Sequence, residues 1–202
     1  MGFLKQTFKM QAKFYFYHGP MGSGKSMQLL AKAYNFEERN IEHVLLKPST
    51  DTRNEGVIYS RALGEKPCLL IKPDEAIIDL LNRNCNVKDL KWILVDEAQF
   101  LTIEQVNQLS RIVDCLDISV ICYGIRTDSM THLFEGSKRL FEIADTIEEI
   151  KSSCSCGRKN IVNARIDKDG DIEIGGNQIE VGGDEKYTAM CRKCFFDKVF
   201  GY

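Results

Sequence analysis

The segment at residues 19–26 (GPMGSGKS) constrains the fold of this chain more than any other feature. It matches the pattern G-x-x-x-x-G-K-[ST], follows an aromatic run at residues 14–18, and precedes helical spacing over residues 27–39. Glycines let backbone N–H groups surround phosphate oxygens, while the lysine adds a cation and the serine offers a hydroxyl to Mg²⁺. The alternative is a glycine-rich turn that precedes a helix by chance. The strand-loop-helix context favours a phosphate-binding P-loop, formed by Gly19, Pro20, Met21, Gly22, Ser23, Gly24, Lys25 and Ser26.

Short apolar runs alternate with helical spacing across residues 13–150. The predicted strands cover residues 14–18, 44–46, 69–71, 92–95, 118–123 and 146–150, and the predicted helices cover 27–39, 73–81 and 103–113, the last with Thr102 as its N-cap. Apolar strands separated by helices indicate a parallel sheet that is covered on both faces. The sequence therefore predicts an α/β fold, a P-loop (RecA-like) parallel sheet flanked by helices.

Two adjacent acids, Asp96 and Glu97, follow the strongly apolar run at residues 92–95. Ligands in open α/β sheets bind at the carboxyl ends of strands, so this position is suited to a nucleotide site. One of the two acids can then serve Mg²⁺ while the other takes a proton. A solvated loop carboxylate is the alternative for Glu97.

Four of the eight cysteines form two close pairs, Cys154 with Cys156 and Cys191 with Cys194. Four thiolates from two short loops suit tetrahedral Zn²⁺ and leave no coordination position open, which indicates a structural site. An iron–sulfur cluster and buried free thiols are the alternatives. We assign residues 151–202 to a small β-rich zinc-binding domain, residues 13–150 to the nucleotide-binding domain, and residues 1–12 to a flexible lead-in.

The charge balance narrows the classes of function. The chain has 27 Lys and Arg against 29 Asp and Glu, a net charge of −2, which argues against a nucleic-acid partner. No apolar run reaches the ~18 residues that a membrane helix needs, and no secretory signal is visible, so we expect a cytoplasmic protein without a membrane partner. A nucleotide-dependent kinase, an ATPase acting on nucleic acid, and a catalytically inactive nucleotide-binding regulator remain as hypotheses.

Several short motifs carry a family resemblance. In chain order they are GPMGSGKS at residues 19–26, KP at 47–48 with DTR at 51–53, DEAQF at 96–100, YGIRTD at 123–128, FEGS at 134–137 and VGGDEKY at 181–187. In this order the chain resembles the thymidine kinases of the cellular and poxviral type (type II), most closely the bacterial and phage branch.

The resemblance implies transfer of the γ-phosphate of ATP, with Mg²⁺, to the 5′-hydroxyl of thymidine by a homotetramer, and leaves deoxyuridine open as a second acceptor. It implies that Glu97 is the general base and that Asp96, Gln99, Asp51 and Arg53 face the phosphates and Mg²⁺. Asn163 departs from the Thr that lies near the thymine methyl group in animal members. The nucleoside-binding residues that it implies are Met21, Phe134, Gln178, Ile179, Glu180, Val181, Gly182 and Tyr187.

Without the resemblance, some of these residues have plainer interpretations. Phe134 and Tyr187 are typical of aromatic side chains that fill a core. The segment at residues 51–53 is typical of a solvated turn.

Overall fold

A parallel sheet of six strands lies at the centre of the computed structural model, which describes residues 11–175 and 186–201. The order of strands in this sheet is β5-β2-β6-β7-β1-β8, and two separate two-stranded sheets pair β3 with β4 and β9 with β10. In chain order the strands are β1 (Phe14–His18), β2 (His43–Pro48), β3 (Val57–Ser60), β4 (Gly64–Pro67), β5 (Leu69–Ile71), β6 (Trp92–Val95), β7 (Ser119–Gly124), β8 (Thr146–Glu149), β9 (Val162–Arg165) and β10 (Tyr187–Met190).

Helices cover both faces of the central sheet. Helix α1 packs on one face, and α2, α3 and α4 pack on the other, because their buried side chains fall into two separate hydrophobic clusters. The helices are α1 (Lys25–Glu37), α2 (Ile77–Asn84), α3 (Ile103–Leu116), α4 (Glu135–Ile143) and α5 (Arg192–Phe200), with a short 3₁₀ turn at Ala98–Phe100.

The two clusters divide the strand residues by alternation. In β6, Ile93 and Val95 belong to the cluster under α2 and α3, whereas Leu94 belongs to the cluster under α1. Successive side chains of a strand point to opposite faces, so a strand that is buried on both sides is apolar throughout. This arrangement confirms the predicted α/β fold. Within the described ranges, no helix is both long enough and apolar enough to span a membrane.

Element ends follow local hydrogen bonding. Thr102 is the N-cap of α3 as predicted, and its Oγ1 accepts the Gln105 amide at 3.2 Å. The helix predicted from Pro73 begins only at Ile77. The Gln105 side chain of α3 donates to the carbonyls of Lys72 at 2.8 Å and Pro73 at 3.2 Å. These two carbonyls therefore bond to α3 instead of accepting amides in a first turn of α2.

The C-terminal unit combines the β9–β10 hairpin with helix α5. The sequence predicted a β-rich unit here but not α5, in which no residue is fully buried although Phe195 packs against the cluster that contains Cys154 and Cys191. Cys191 is the N-cap of this helix, and its Sγ accepts the Cys194 amide at 3.4 Å. Strand β8 ends at Glu149, and the domain boundary near Lys151 stays a prediction. Most of the proposed lead-in, residues 1–10, lies outside the described residues.

Candidate active site

The carboxyl ends of β1, β2, β6 and β7 border one cavity of about 680 Å³. A volume of this size is typical of small-molecule sites. Tyr59 of β3, which belongs to no motif, also lines the cavity, as do Thr127 and Asp128 of the YGIRTD segment, to which the sequence assigned no role in the site. The predicted site residues that line it are Met21, Gly22, Gly24, Lys25, Ser26, Asp51, Arg53, Asp96, Glu97, Gln99, Phe134 and Tyr187.

The Lys25 side chain bonds to the backbone of the P-loop that it belongs to. Lys25 Nζ donates to the carbonyls of Gly19 at 3.0 Å and Pro20 at 2.9 Å. Gly24 has a φ of +88°, a left-handed conformation that favours glycine, and it begins α1 without a side-chain cap. A Cβ on Gly19 would lie 2.4 Å from the Ile150 carbonyl oxygen, so glycine is required there too.

Two features of this loop fit an anionic phosphate. The Oγ of Ser23 is buried and has no hydrogen-bond partner among the described residues. The first backbone amides of α1 lie at the N-terminus of the helix. At such a terminus, free N–H donors and the helix dipole favour the binding of a negative charge. The donor set therefore fits the phosphate group that the motif predicts.

Asp96 lies at the base of the cavity and is only 4% exposed. Ser26 Oγ donates to its Oδ2 at 2.8 Å. Burial, together with the charge of Glu97, raises the pKa of Asp96 to about 7, although Ser26 and Lys25 act in the opposite direction. A buried carboxyl beside a hydroxyl suits a hard divalent cation, which would favour the ionised form.

Glu97 leaves β6 with a φ of +50°, so the chain turns sharply at the strand end. Its carboxylate is fixed from two sides: Arg53 Nη2 donates to Oε1 at 2.9 Å, and Gln99 Nε2 donates to Oε2 at 2.5 Å. Gln99 is itself fixed, because its Oε1 accepts the Ile125 amide at 3.1 Å. The structure thus places Gln99 against Glu97 and on the cavity wall; that it also faces the phosphates and Mg²⁺, as the resemblance implies, stays a prediction.

A buried cluster of charges supports Arg53. Asp51 is 3% exposed and bonds Arg53 Nε at 2.7 Å and Lys47 Nζ at 3.0 Å. Burial raises the pKa of Asp51, but the hydrogen bonds and charges of Arg53 and Lys47 outweigh it and place the pKa below its ordinary value. Lys47 belongs to the KP motif at residues 47–48, but the sequence assigned it no role in the site; its place at the end of an apolar strand is the one feature that could have indicated such a role.

Aromatic rings form the far wall of the cavity. Phe134 is buried and meets Phe100 edge-to-face, with ring centroids 5.7 Å apart. The ring of Tyr187 lies 5.8 Å from the guanidinium carbon of Arg165, its partner across the β9–β10 hairpin. Five predicted nucleoside contacts lie outside the described residues, namely Gln178, Ile179, Glu180, Val181 and Gly182.

The four paired cysteines meet as predicted. Their Sγ atoms all lie within 4.8 Å of one another, which fits a single metal ion. Backbone amide hydrogen bonds lower the pKa of Cys154 to about 6 and lower that of Cys191, whereas hydrogen bonds with Cys156 and Cys191 raise the pKa of Cys194 to about 12. Four thiolates cannot share this space without a cation, so the donor set fits a divalent metal.

The comparison with known proteins decides the family. The family model described as "Thymidine kinase" matches residues 12–195. The chain belongs to the thymidine kinase family. It is 43% identical to the thymidine kinase of Zymomonas mobilis, over 93% of this chain and 98% of that protein. It is 40% identical to that of Rhodopirellula baltica, over 94% of this chain and 90% of that protein.

Membership of this family confirms the prediction made from the motifs, an ATP-dependent thymidine kinase. Among solved structures, the chain is similar to the Pif1 helicase from Candida albicans, with a TM-score of 0.42 and 14% identity over 70% of this chain and 36% of that chain. This weak likeness carries no argument about activity.

Proposed function

We propose that the cavity binds ATP and thymidine and transfers the γ-phosphate to the 5′-hydroxyl of thymidine, in nucleotide salvage. The observation that carries this proposal is the doubly held carboxylate of Glu97, which borders the same cavity as the P-loop. A carboxylate fixed beside a phosphate cradle suits proton abstraction from an alcohol. The thymidine kinase relatives supply the identity of the alcohol.

The reaction balances with these residues. A bond forms between the 5′-oxygen and the γ-phosphorus, the bond from the γ-phosphorus to the β,γ-bridging oxygen breaks, and ADP leaves. Glu97 takes the proton of the hydroxyl, while Lys25 and the loop amides stabilise charge on the transferred group. Ser26 and Asp96 would hold Mg²⁺, which supplies further neutralisation of the phosphate charge.

Arg53 links the binding of ATP to the release of Glu97 in this proposal. Its guanidinium now occupies Oε1 of Glu97, one of the two oxygens that could accept the hydroxyl proton. Arginine pairs strongly with phosphate oxygens, so bound triphosphate would compete for the same guanidinium. Asp51 would keep Arg53 near the phosphates during this exchange.

Gln99 is a positioning residue in the proposed reaction. It joins Oε2 of Glu97 to the backbone of Ile125, just beyond β7. Gly124 supports this bridge, because a Cβ there would lie 2.9 Å from the Gln99 Oε1. The bridge leaves the Glu97 carboxylate with little freedom to rotate, and fixed geometry is what proton transfer needs.

The base of thymidine would lie among Met21, Phe134 and Tyr187, because these side chains line the cavity beyond the acids. Flat rings suit contacts with a flat base. The segment at residues 178–182 remains our proposal for the loop that closes over the nucleoside. Gly182 at its end, together with Gly183, allows close approach of backbone donors to a base.

The remaining proposals concern assembly and metal. We propose that the four cysteines hold a structural Zn²⁺, since four thiolates fill a tetrahedral shell. The homotetramer and the cytoplasmic location stay predictions. Light scattering on a sizing column measures the first, and imaging of the tagged protein in cells tests the second.

The decisive assay follows labelled γ-phosphate from ATP into a panel of nucleosides. Thymidine should become labelled, and the label should depend on Glu97. In Glu97→Gln, kcat should fall by ~10²- to 10⁴-fold because the general base is lost. ATP and thymidine should still bind, as measured by calorimetry. A variant that loses binding but keeps its rate on bound substrate would contradict the role of Glu97.

A further inference from the structure

Strand β9 lies between the four-cysteine cluster and the P-loop. Val162 and Ala164 pack in the hydrophobic cluster that contains Cys154 and Cys191. Asn163, which lies between them in sequence, therefore points to the other side of the hairpin and lines the cavity. One short strand thus has one face on the cysteine cluster and the other on the proposed active site.

Asn163 makes a direct bond to the phosphate-binding loop. Its side chain is 3% exposed, and its Oδ1 accepts the backbone amide of Met21 at 2.7 Å. Met21 follows Pro20, whose carbonyl accepts the Ser23 amide at 3.2 Å and so forms the turn of the loop. A partly buried amide needs a hydrogen-bond partner, and this partner comes from the C-terminal unit rather than from the loop itself.

The chemistry of the side chain suits this position. A carboxamide accepts the amide hydrogen without placing a negative charge beside bound phosphates, as a carboxylate would. The hairpin that carries it is anchored near the cysteines, because the Ile161 amide donates to Met190 at 2.9 Å and Met190 directly precedes Cys191.

We propose that Asn163 is a positioning residue that couples the four-cysteine cluster to the P-loop, so that metal binding at the cluster raises the affinity of the loop for nucleotide. The proposal rests on the proposed function only for the identity of the nucleotide. In this scheme the metal holds the β9–β10 hairpin, the hairpin holds Asn163, and Asn163 holds the turn at Met21.

The test uses the metal-loaded full chain and Asn163→Ala, with ADP as the probe. Calorimetry should show a Kd for ADP raised by about three- to ten-fold, the range expected for loss of one neutral hydrogen bond. Hydrogen exchange at the Met21 amide should become faster. In Asn163→Asp the carboxylate still accepts this amide, so exchange should stay slow while the added charge still weakens ADP binding.

Val113→Ala is the control for general destabilisation, since Val113 is buried in α3 and lies outside the link from the cysteines to Asn163. It should lower the melting temperature but leave the Met21 exchange rate and the Kd for ADP unchanged. If it weakens ADP binding as much as Asn163→Ala, the effect is general destabilisation and the proposal is overturned. An unchanged Kd and exchange rate in Asn163→Ala would also overturn it.

Metal removal completes the cycle. Chelation should raise the Kd for ADP in the unaltered chain. In Asn163→Ala it should raise that Kd little further, because both changes act through the bond between Asn163 and the Met21 amide. Equal and additive losses would overturn the coupling. Failure of the unaltered, metal-loaded chain to bind ADP would instead contradict the proposed function, so the two ideas fail in different ways.

Discussion

Replacement of Gln99 by methionine tests whether this side chain positions Glu97, the proposed general base, or contacts the phosphates of ATP. Methionine has a similar length but neither donates nor accepts the two hydrogen bonds that Gln99 makes with Glu97 and Ile125. Gln99 is 2% exposed, so a side chain of similar volume should remain packed in place. The variant therefore removes the bridge with little change of shape.

The expected loss of rate follows from the bond to Glu97. A hydrogen bond to a charged group contributes about 1.5–3 kcal/mol. If that free energy orients the carboxylate in the transition state, kcat falls by about ten- to a hundred-fold. The KM for ATP should change little, because in this structure Gln99 bonds to Glu97 and not to the P-loop.

Stability should fall as well. The Ile125 amide loses its partner, which costs about 1 kcal/mol for a partly buried group. For a chain of this length, that cost lowers the melting temperature by about 2–4 °C. Gln105→Met is the matched control: Gln105 is also buried and bonded to backbone carbonyls, but it lies at the start of α3. It should lose similar stability and keep its kcat.

Steady-state kinetics that vary ATP and thymidine separately, alongside thermal melts, give the answer. A raised KM for ATP with an unchanged kcat would refute the positioning role. That outcome would instead favour the role predicted from the sequence, in which Gln99 faces the phosphates and Mg²⁺.

Three further predictions concern the C-terminal unit. Elemental analysis in reducing buffer should find about one zinc per chain, and an absence of zinc would contradict the zinc assignment. Chelation should unfold the β9–β10 hairpin and α5, because metal binding and folding are coupled in small metal domains. Tyr187→Ala should raise the KM for thymidine much more than that for ATP, since the ring lines the cavity on the side of Phe134. Hydrogen exchange over residues 176–190 should slow when thymidine binds, and equal exchange in both states would contradict the proposed closing loop.

Local patterns in the sequence determined much of the fold and part of the site. Alternating apolar strands and helical spacing predicted the parallel sheet, and the P-loop pattern indicated where we propose that phosphates bind. Asp96 and Glu97 were found because acids at the end of an apolar strand lie at the ligand-binding edge of such a sheet. The cysteine pairs were found because their spacing alone favours one metal site.

Tertiary structure alone decided which of these residues touch. The bond between Met21 and Asn163 joins positions 142 residues apart, and that between Arg53 and Glu97 joins positions 44 apart. The sequence also could not predict α5, which buries no residue, or the partner of Gln99. The physical reason is that periodicity records the burial of neighbours along the chain. Hydrogen bonds between distant side chains depend on strand order and packing, which local spacing does not encode.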